Sequence, residues 1–258
     1  MDIDGISPRM LDPGFYNMDC MDGMAQFPDK FFELAIVDPP YGIERFKKPS
    51  GKTRFASCKR MQEEGLKWDK APDNEYFDEL KRVSRFQIIW GANNFQLPKS
   101  EYFIVWDKMQ SVDNFASAEY AWTNCALPAK VFRYSIHQTM QDRAKERGAI
   151  HPTQKPIALY KWLLSNYAKP GDKILDTHVG SASSLIACHQ MGFEYWGFEL
   201  DTDYYNAATE RLNKAKAQVS MTELIEQVIP EQVAQVSMTE LIEQVIPEQV
   251  TIGGEYGH

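Results

Sequence analysis

The sequence predicts an α/β fold, a mostly parallel sheet with helices on both faces. Three features carry that expectation. Short apolar runs such as FELAIV at 32–37 and YWGFEL at 195–200 recur along the chain, and each delivers an acidic residue at or just after its end. Between them lie stretches with apolar residues at helical spacing, for example Tyr76, Phe77, Leu80 and Val83. Turn signals, Pro170-Gly171 and Gly192 among them, punctuate the alternation.

The elements follow in order. Residues 15–19 read as a short strand ending at Asp19, and 22–28 as a short helix and turn. The run at 32–37 is apolar on both faces, as a buried parallel strand is, and it delivers Asp38-Pro39-Pro40-Tyr41. Residues 42–74 are rich in Lys, Gly and Ser and predict a long loop, a feature that in compact domains is usually functional or disordered. A helix is expected over 75–84, strands at 86–90 and 102–106, a helix over 115–122 and a strand at 131–135. Residues 138–149 are polar and read as surface. The spacing predicts a helix over 153–167, with Pro156 in its first turn and Pro170-Gly171 as its stop. A strand at 174–176 then leads through Gly180-Ser181-Ala182-Ser183-Ser184 into a helix that Gly192 ends. The strand at 195–200 follows, and a long helix from 203 to about 219. Trp90, Trp106 and Trp196 sit in strand patterns and are assigned to the core.

Residues 1–216 read as the main domain and 217–258 as an acidic tail. Residues 217–233 and 234–250 are identical at all 17 positions. Each copy carries a Ser-Met-Thr-Glu capping pattern and then runs to a proline, so two short amphipathic helices broken at Pro230 and Pro247 are expected. The apolar stripes of the tail predict packing on the domain or on a second subunit, and hence a homodimer.

The formal charge is −8, from 28 basic and 36 acidic residues. Seven of the acids lie beyond residue 216, where there is no Lys or Arg, leaving residues 1–216 near neutral. That balance argues against strong non-specific nucleic-acid binding but leaves room for a local basic face. The four cysteines are far apart and read as reduced, the histidines give no metal-ligand spacing, and no metal is predicted. No run approaches the roughly 20 apolar residues that span a bilayer. A cytoplasmic protein of a prokaryotic or phage-infected cell, with no membrane partner, is expected.

Two motifs suggest chemistry. Asp38-Pro39-Pro40-Tyr41 places a carboxylate, two rigid residues and an aromatic ring at the carboxyl end of a strand, where open α/β sheets bind ligands. The bland alternative is a strand-closing turn. The second motif is the strand, small-residue turn and helix around Asp176–Ser184, with Glu199 ending the next strand. An acid there can accept from ribose hydroxyls. The turn lacks the G-x-G-x-x-G of a dinucleotide site, and Asp176 would repel a pyrophosphate. A cationic, phosphate-free nucleoside such as S-adenosylmethionine fits that charge better.

Taken together, the order and spacing of these blocks resemble the amino-methyltransferases that modify exocyclic amines of DNA bases, in the β-arrangement, where the catalytic motif precedes the cofactor motif. The likeness runs from about Phe15 to Leu212 and includes the segments around Asp19-Cys20, Asp38–Gly42, Gln87–Asn93, Val105–Lys108, His151–Pro156, Asp176–Ser184 and Glu199. It implies a single Rossmann-like S-adenosylmethionine-dependent methyltransferase domain with a mixed, mostly parallel seven-stranded sheet. It implies catalytic roles for Asp38, Pro39, Pro40 and Tyr41. It implies cofactor contacts from Asp19, Cys20, Asp38, His151, Lys155, Asp176, His178, Gly180, Ser181, Ala182, Glu199, Leu200 and Asp201. Two positions depart from the family pattern, His178 for the usual Phe and Ala182 for a second Gly, so weaker aromatic packing and a crowded turn are expected.

The expected function is site-specific transfer of a methyl group to adenine N6 of DNA, with the base flipped out of the stack. An Asp first in the tetrapeptide resembles the adenine members; cytosine-N4 methylation, an RNA or free-nucleobase substrate, and a non-catalytic nucleic-acid-binding protein are the alternatives. Phosphate contacts are expected from Lys47, Lys48, Lys52, Arg54, Lys59 and Arg60 in the long loop, and from Arg143, Lys145 and Arg147 in a short recognition region at 136–150. Neither the target sequence nor a partner restriction endonuclease can be read from the chain.

Overall fold

In the computed structural model the described residues are 10–42, 70–110, 116–145, 150–151 and 154–235. Eight strands form one sheet: β1 (Gly14–Asn17), β2 (Phe32–Val37), β3 (Ser84–Trp90), β4 (Phe103–Asp107), β5 (Ala118–Thr123), β6 (Lys130–Arg133), β7 (Lys173–Asp176) and β8 (Glu194–Glu199). Their order across the sheet is β1-β8-β7-β2-β3-β5-β4-β6. Every neighbouring pair is parallel except the two that involve β5. The helices are α1 (Cys20–Met24), α2 (Asn74–Val83), α3 (Ile136–Lys145), α4 (Ile157–Tyr167), α5 (Ser183–Gln190) and α6 (Thr202–Gln235). Among the described residues, 10–215 belong to one compact unit and 216–235 to a second. Among the described residues no helix is long and apolar enough to cross a membrane.

The alternation of a strand sorts its side chains to two cores. Leu34 and Ile36 of β2 join Ile88 and Trp90 of β3 in one cluster, with Leu159 and Leu163 of α4 and Leu185 of α5. Ala35, Val37 and Ile89 point to the other face, against Tyr76, Phe77 and Leu80 of α2. Both faces of β2 are covered, which explains why only Glu33 interrupts its apolar run. The three tryptophans assigned to the core are buried.

The α/β expectation holds, with four corrections. The sheet has eight strands, not seven. The additional strand is β5, in a stretch read as a helix. Ala118-Glu119-Tyr120-Ala121-Trp122-Thr123 has helix-forming Ala and Glu, but it pairs on both sides, with β3 and with β4, and that non-local pairing overrides local preference. Helix α4 begins at Ile157, with Pro156 extended at its N-cap instead of inside the first turn. The polar segment after 135 forms helix α3. Helix α6 continues through Pro230 to Gln235, so the first expected break is absent. A proline removes its own donor and crowds the preceding turn, which can bend a helix without ending it.

Candidate active site

The crevice follows from topology. Strand β2 leads on to β3 on one side, whereas β7 leads on to β8 on the other, and β2 and β7 are parallel neighbours. Chain direction across the sheet therefore reverses between them, and ligand sites in open α/β sheets lie outside the carboxyl ends at such a point. Asp38 follows β2 and Asp176 ends β7. Because β5 runs antiparallel, its first residues lie at the carboxyl end of its neighbours, and this brings Glu119 to the same rim.

On the β2 side, the Tyr41 hydroxyl donates to Asp38 Oδ1 at 2.6 Å, and Lys155 Nζ donates to Asp38 Oδ2. Lys155 also pairs with Glu119 Oε2 at 3.3 Å, and Glu119 Oε1 pairs with Lys108 Nζ at 2.5 Å. The Lys155 ammonium lies 5.6 Å from the centre of the Trp90 ring. Its side chain is only 4% exposed, against 16% for Asp38. Burial opposes the Lys155 charge, but Asp38 and Glu119 outweigh it and hold its pKa well above the ordinary value. Burial likewise opposes the charge of Glu119, and Lys155 and Lys108 overcome it, leaving the carboxyl below its usual range. Burial, with Asp38 beside it, raises the Tyr41 phenol. Tyr41 stands edge-on to Phe95 at 6.1 Å and closes over Gly91.

On the β7 side, Asp176 Oδ1 accepts from the His178 N–H at 3.0 Å and Oδ2 from the Ser184 hydroxyl at 2.5 Å. Burial pushes the Asp176 carboxyl up to about 7, against those two bonds and with Asp38 and Glu199 adding to the rise. Glu199 Oε2 accepts from Gly180 N at 2.9 Å and Oε1 from Asp201 N at 3.0 Å. Two of its roughly four acceptor positions are used by these bonds. His151 lies against the turn, its ring 3.5 Å from where a Cβ on Gly180 would stand, and edge-on to Tyr204 at 4.5 Å. Asp19 Oδ1 accepts from Met21 N at 2.7 Å and caps α1, and burial raises the Cys20 thiol to about 12.

The departures at 178 and 182 take definite forms. His178 Nδ1 lies 2.9 Å from the Thr177 hydroxyl, which in turn shares a hydrogen bond of 2.6 Å with Tyr76. The ring stands edge-on to Tyr76 at 5.4 Å, and burial lowers its pKa to about 4, so the imidazole is neutral near pH 7. Ala182 adopts φ 59° and ψ 20°, the left-handed region, where a Cβ costs about 1–2 kcal/mol. Its methyl is fully buried, and losing it costs about 0.8 kcal/mol. Glycine also gains freedom in the unfolded chain. These terms oppose one another, so Ala182→Gly should unfold within about 3 °C of the parent, whereas Ala182→Val should melt well below both.

The structure thus gathers Asp38, Tyr41 and Lys155 at one end of the crevice, and Asp176, His178, Gly180 and Glu199 at the other. Leu200 is 68% exposed, and Asp201 caps α6 through the amides of Asp203 and Tyr204. Lys47, Lys48, Lys52, Arg54, Lys59, Arg60 and Arg147 lie outside the described residues, and only the backbone of Arg143 and Lys145 is described. Glu119, Lys108 and Trp90 were not singled out as site residues. The first was hidden by the reading of β5 as a helix. Asn17 was likewise missed: its amide donates to the carbonyls of Glu199 and Leu200, tying β1 to the end of β8.

A family model described as DNA methylase, for the N6/N4 class, matches residues 86–210. Over that span the chain is similar to the N6/N4 DNA methylases. Type II methyltransferase M.HinfI of Haemophilus influenzae is 26% identical over 265 residues, covering 83% of this chain and 72% of that protein. YubD of Escherichia coli K12, described as a candidate methylase, is 28% identical over 220 residues, covering 77% of this chain and 89% of its own. Among solved structures, the cytosine-N4-specific PvuII DNA methyltransferase superposes with a TM-score of 0.50 at 12% identity, covering 81% of this chain and 93% of that one. That likeness shows a shared fold.

Proposed function

We propose that the protein transfers the methyl group of S-adenosylmethionine to the N6 amine of an adenine flipped out of DNA. The observation that carries this reading is the placement of Asp38-Pro39-Pro40-Tyr41 and the Asp176–Glu199 turn on adjacent parallel strands at the switch point. The acidic set at the β7 end suits a cationic nucleoside: Asp176 is buried and bonded by Ser184 and the His178 amide, and Glu199 retains acceptor capacity for ribose hydroxyls. When bound, S-adenosylmethionine supplies an electrophilic methyl group on a sulfonium.

The residues of the chain do the rest. An exocyclic amine is a poor nucleophile because its lone pair is delocalised into the ring. Asp38 accepts one of its hydrogens and the Pro39 carbonyl accepts the other, which favours a tetrahedral nitrogen with its lone pair free. The prolines hold that carbonyl in a fixed direction. Tyr41 stacks on the base and offsets part of the lost stacking, worth roughly 1–3 kcal/mol. The Asp38 charge stabilises the cation that develops on nitrogen before its proton leaves. The preference for adenine rests on Asp as first residue of the tetrapeptide.

The test is transfer of labelled methyl from S-adenosylmethionine to duplex DNA, single-stranded DNA and RNA, followed by digestion to nucleosides. N6-methyladenine from DNA is expected. N4-methylcytosine would overturn the choice of base, and label confined to RNA the choice of polymer.

A pH dependence follows from Asp176. Its folded pKa, about 7, lies above the unfolded value of a carboxyl, so its contribution to stability is complete below about pH 4 and is lost as pH rises through about 7. A cationic ligand favours the ionised form. Affinity for S-adenosylmethionine, read by calorimetry, should therefore weaken by up to about tenfold per pH unit below 7 in the parent, and much less in Asp176→Asn. A flat parent profile would count against a cation beside Asp176.

A further inference from the structure

Resting on that reading, we propose that Lys155 is a positioning residue for the amine acceptor, fixing the Asp38 carboxylate from behind, with Glu119 and Trp90 fixing Lys155 in turn. The resemblance assigned Lys155 to the cofactor. The geometry instead turns its ammonium to Asp38 Oδ2, with Glu119 Oε2 at 3.3 Å and the Trp90 face at 5.6 Å.

The chemistry needs such a clamp. The terminal torsion of an Asp side chain is broad, so an isolated Asp38 would present either oxygen over a range of directions. Holding Oδ2 inward leaves Oδ1 as the oxygen on the Tyr41 side, the side the proposed base occupies. A misplacement of about 1 Å in such a contact can cost about 10²-fold in rate.

Charge matters as much as direction. A carboxylate neutralised by one buried lysine would give little help to a cation forming on the amine. Glu119 shares the Lys155 charge from the other side at 3.3 Å, and Lys108 balances Glu119 at 2.5 Å, so the four charges alternate and sum to zero, with the Asp38 carboxylate at the end of the row. The chain of alternating charge runs from the residue after β2, through the segment leading into α4, to the start of β5 and the residue after β4. Among the described residues, the other titratable groups acting on this pair are Tyr41, Tyr76, Tyr160 and Asp176 around Asp38, and Tyr41 and Tyr160 around Lys155.

The experiment compares Lys155→Met, Lys155→Arg and Glu119→Gln in the full chain, with two readouts, single-turnover methyl transfer and S-adenosylmethionine affinity, and with the arginine variant as the rescue. Lys155→Met should slow transfer by about 10²-fold and leave cofactor affinity within about threefold. Lys155→Arg should recover part of the rate. Glu119→Gln should slow transfer by about tenfold, and adding it to Lys155→Met should cost little more, since both act through Asp38. Should Lys155→Met fail to fold, the arginine and Glu119 variants carry the same comparison. A parental rate of Lys155→Met in an active enzyme would overturn the positioning role alone. A loss confined to cofactor affinity would overturn it in favour of a cofactor contact. A parent that methylates no nucleic acid overturns both this inference and the function it rests on.

Discussion

Asp38→Asn is expected to lower methyl transfer by about 10²–10³-fold while leaving S-adenosylmethionine affinity within a few-fold of the parent. The amide keeps the volume of the side chain and can still offer an oxygen to Lys155 or to the substrate. It cannot carry the charge that opposes a cation on nitrogen, and its NH₂ is a donor where the amine requires an acceptor. Asp38→Ala should abolish transfer as well, but it changes a second property. Lys155 is 4% exposed and would be left with Glu119 as its only carboxylate among the described residues. Removing one partner from a buried pair typically costs about 3–5 kcal/mol. The alanine variant should therefore melt well below the asparagine variant, and a rate lost in the former could reflect a loosened site. The comparison needs thermal unfolding, cofactor affinity and single-turnover rate on the same preparations. Parental transfer by Asp38→Asn would remove Asp38 from the mechanism. A parallel loss of cofactor affinity would shift its role to the cofactor side.

The two halves of the crevice differ in how far the sequence revealed them. Strands β2, β7 and β8 are apolar runs buried on both faces, and each delivers its acid at the carboxyl end, so local pattern was enough. Gly180 and Glu199 could likewise be paired by spacing, and a hydrogen bond of 2.9 Å joins them. What sequence could not supply was anything settled by pairing between distant segments. Strand β5 exists because β3 and β4 flank it, and with β5 misread Glu119 had no reason to stand near Asp38. Lys155 was noticed, but a lysine carries no local signal of which carboxylate it will meet. Its partner is 117 residues away in the chain. His178 was seen as a departure, while the Thr177 and Tyr76 bonds that accommodate its polar ring depend on a helix 101 residues earlier.

Gly91→Ala is the second substitution with a large expected effect, and it acts through Tyr41 without touching substrate. Gly91 follows β3 at φ +65°, and a Cβ there would stand 2.1 Å from Tyr41 Cε1 and 2.4 Å from Cζ. Neither side can yield easily. The Gly91 N–H donates to the Tyr120 carbonyl at 2.9 Å, and the Gly91 carbonyl accepts from Asn94 N at 2.9 Å. The Tyr41 hydroxyl is tied to Asp38 at 2.6 Å. The left-handed conformation alone costs an alanine about 1–2 kcal/mol, or several degrees in melting temperature for a chain of this size. The steric conflict adds to that and pushes the ring off the place from which it would stack on a base. Transfer to duplex DNA should fall by about 10²-fold, with cofactor affinity nearly unchanged because the β7–β8 side is untouched. A double-mutant cycle separates the two costs. In a Tyr41→Ala background the ring is gone, so Gly91→Ala should retain only the backbone strain, and its further effect on transfer should vanish. If it slows transfer equally with and without the ring, the close approach of Gly91 to Tyr41 is not what the site depends on.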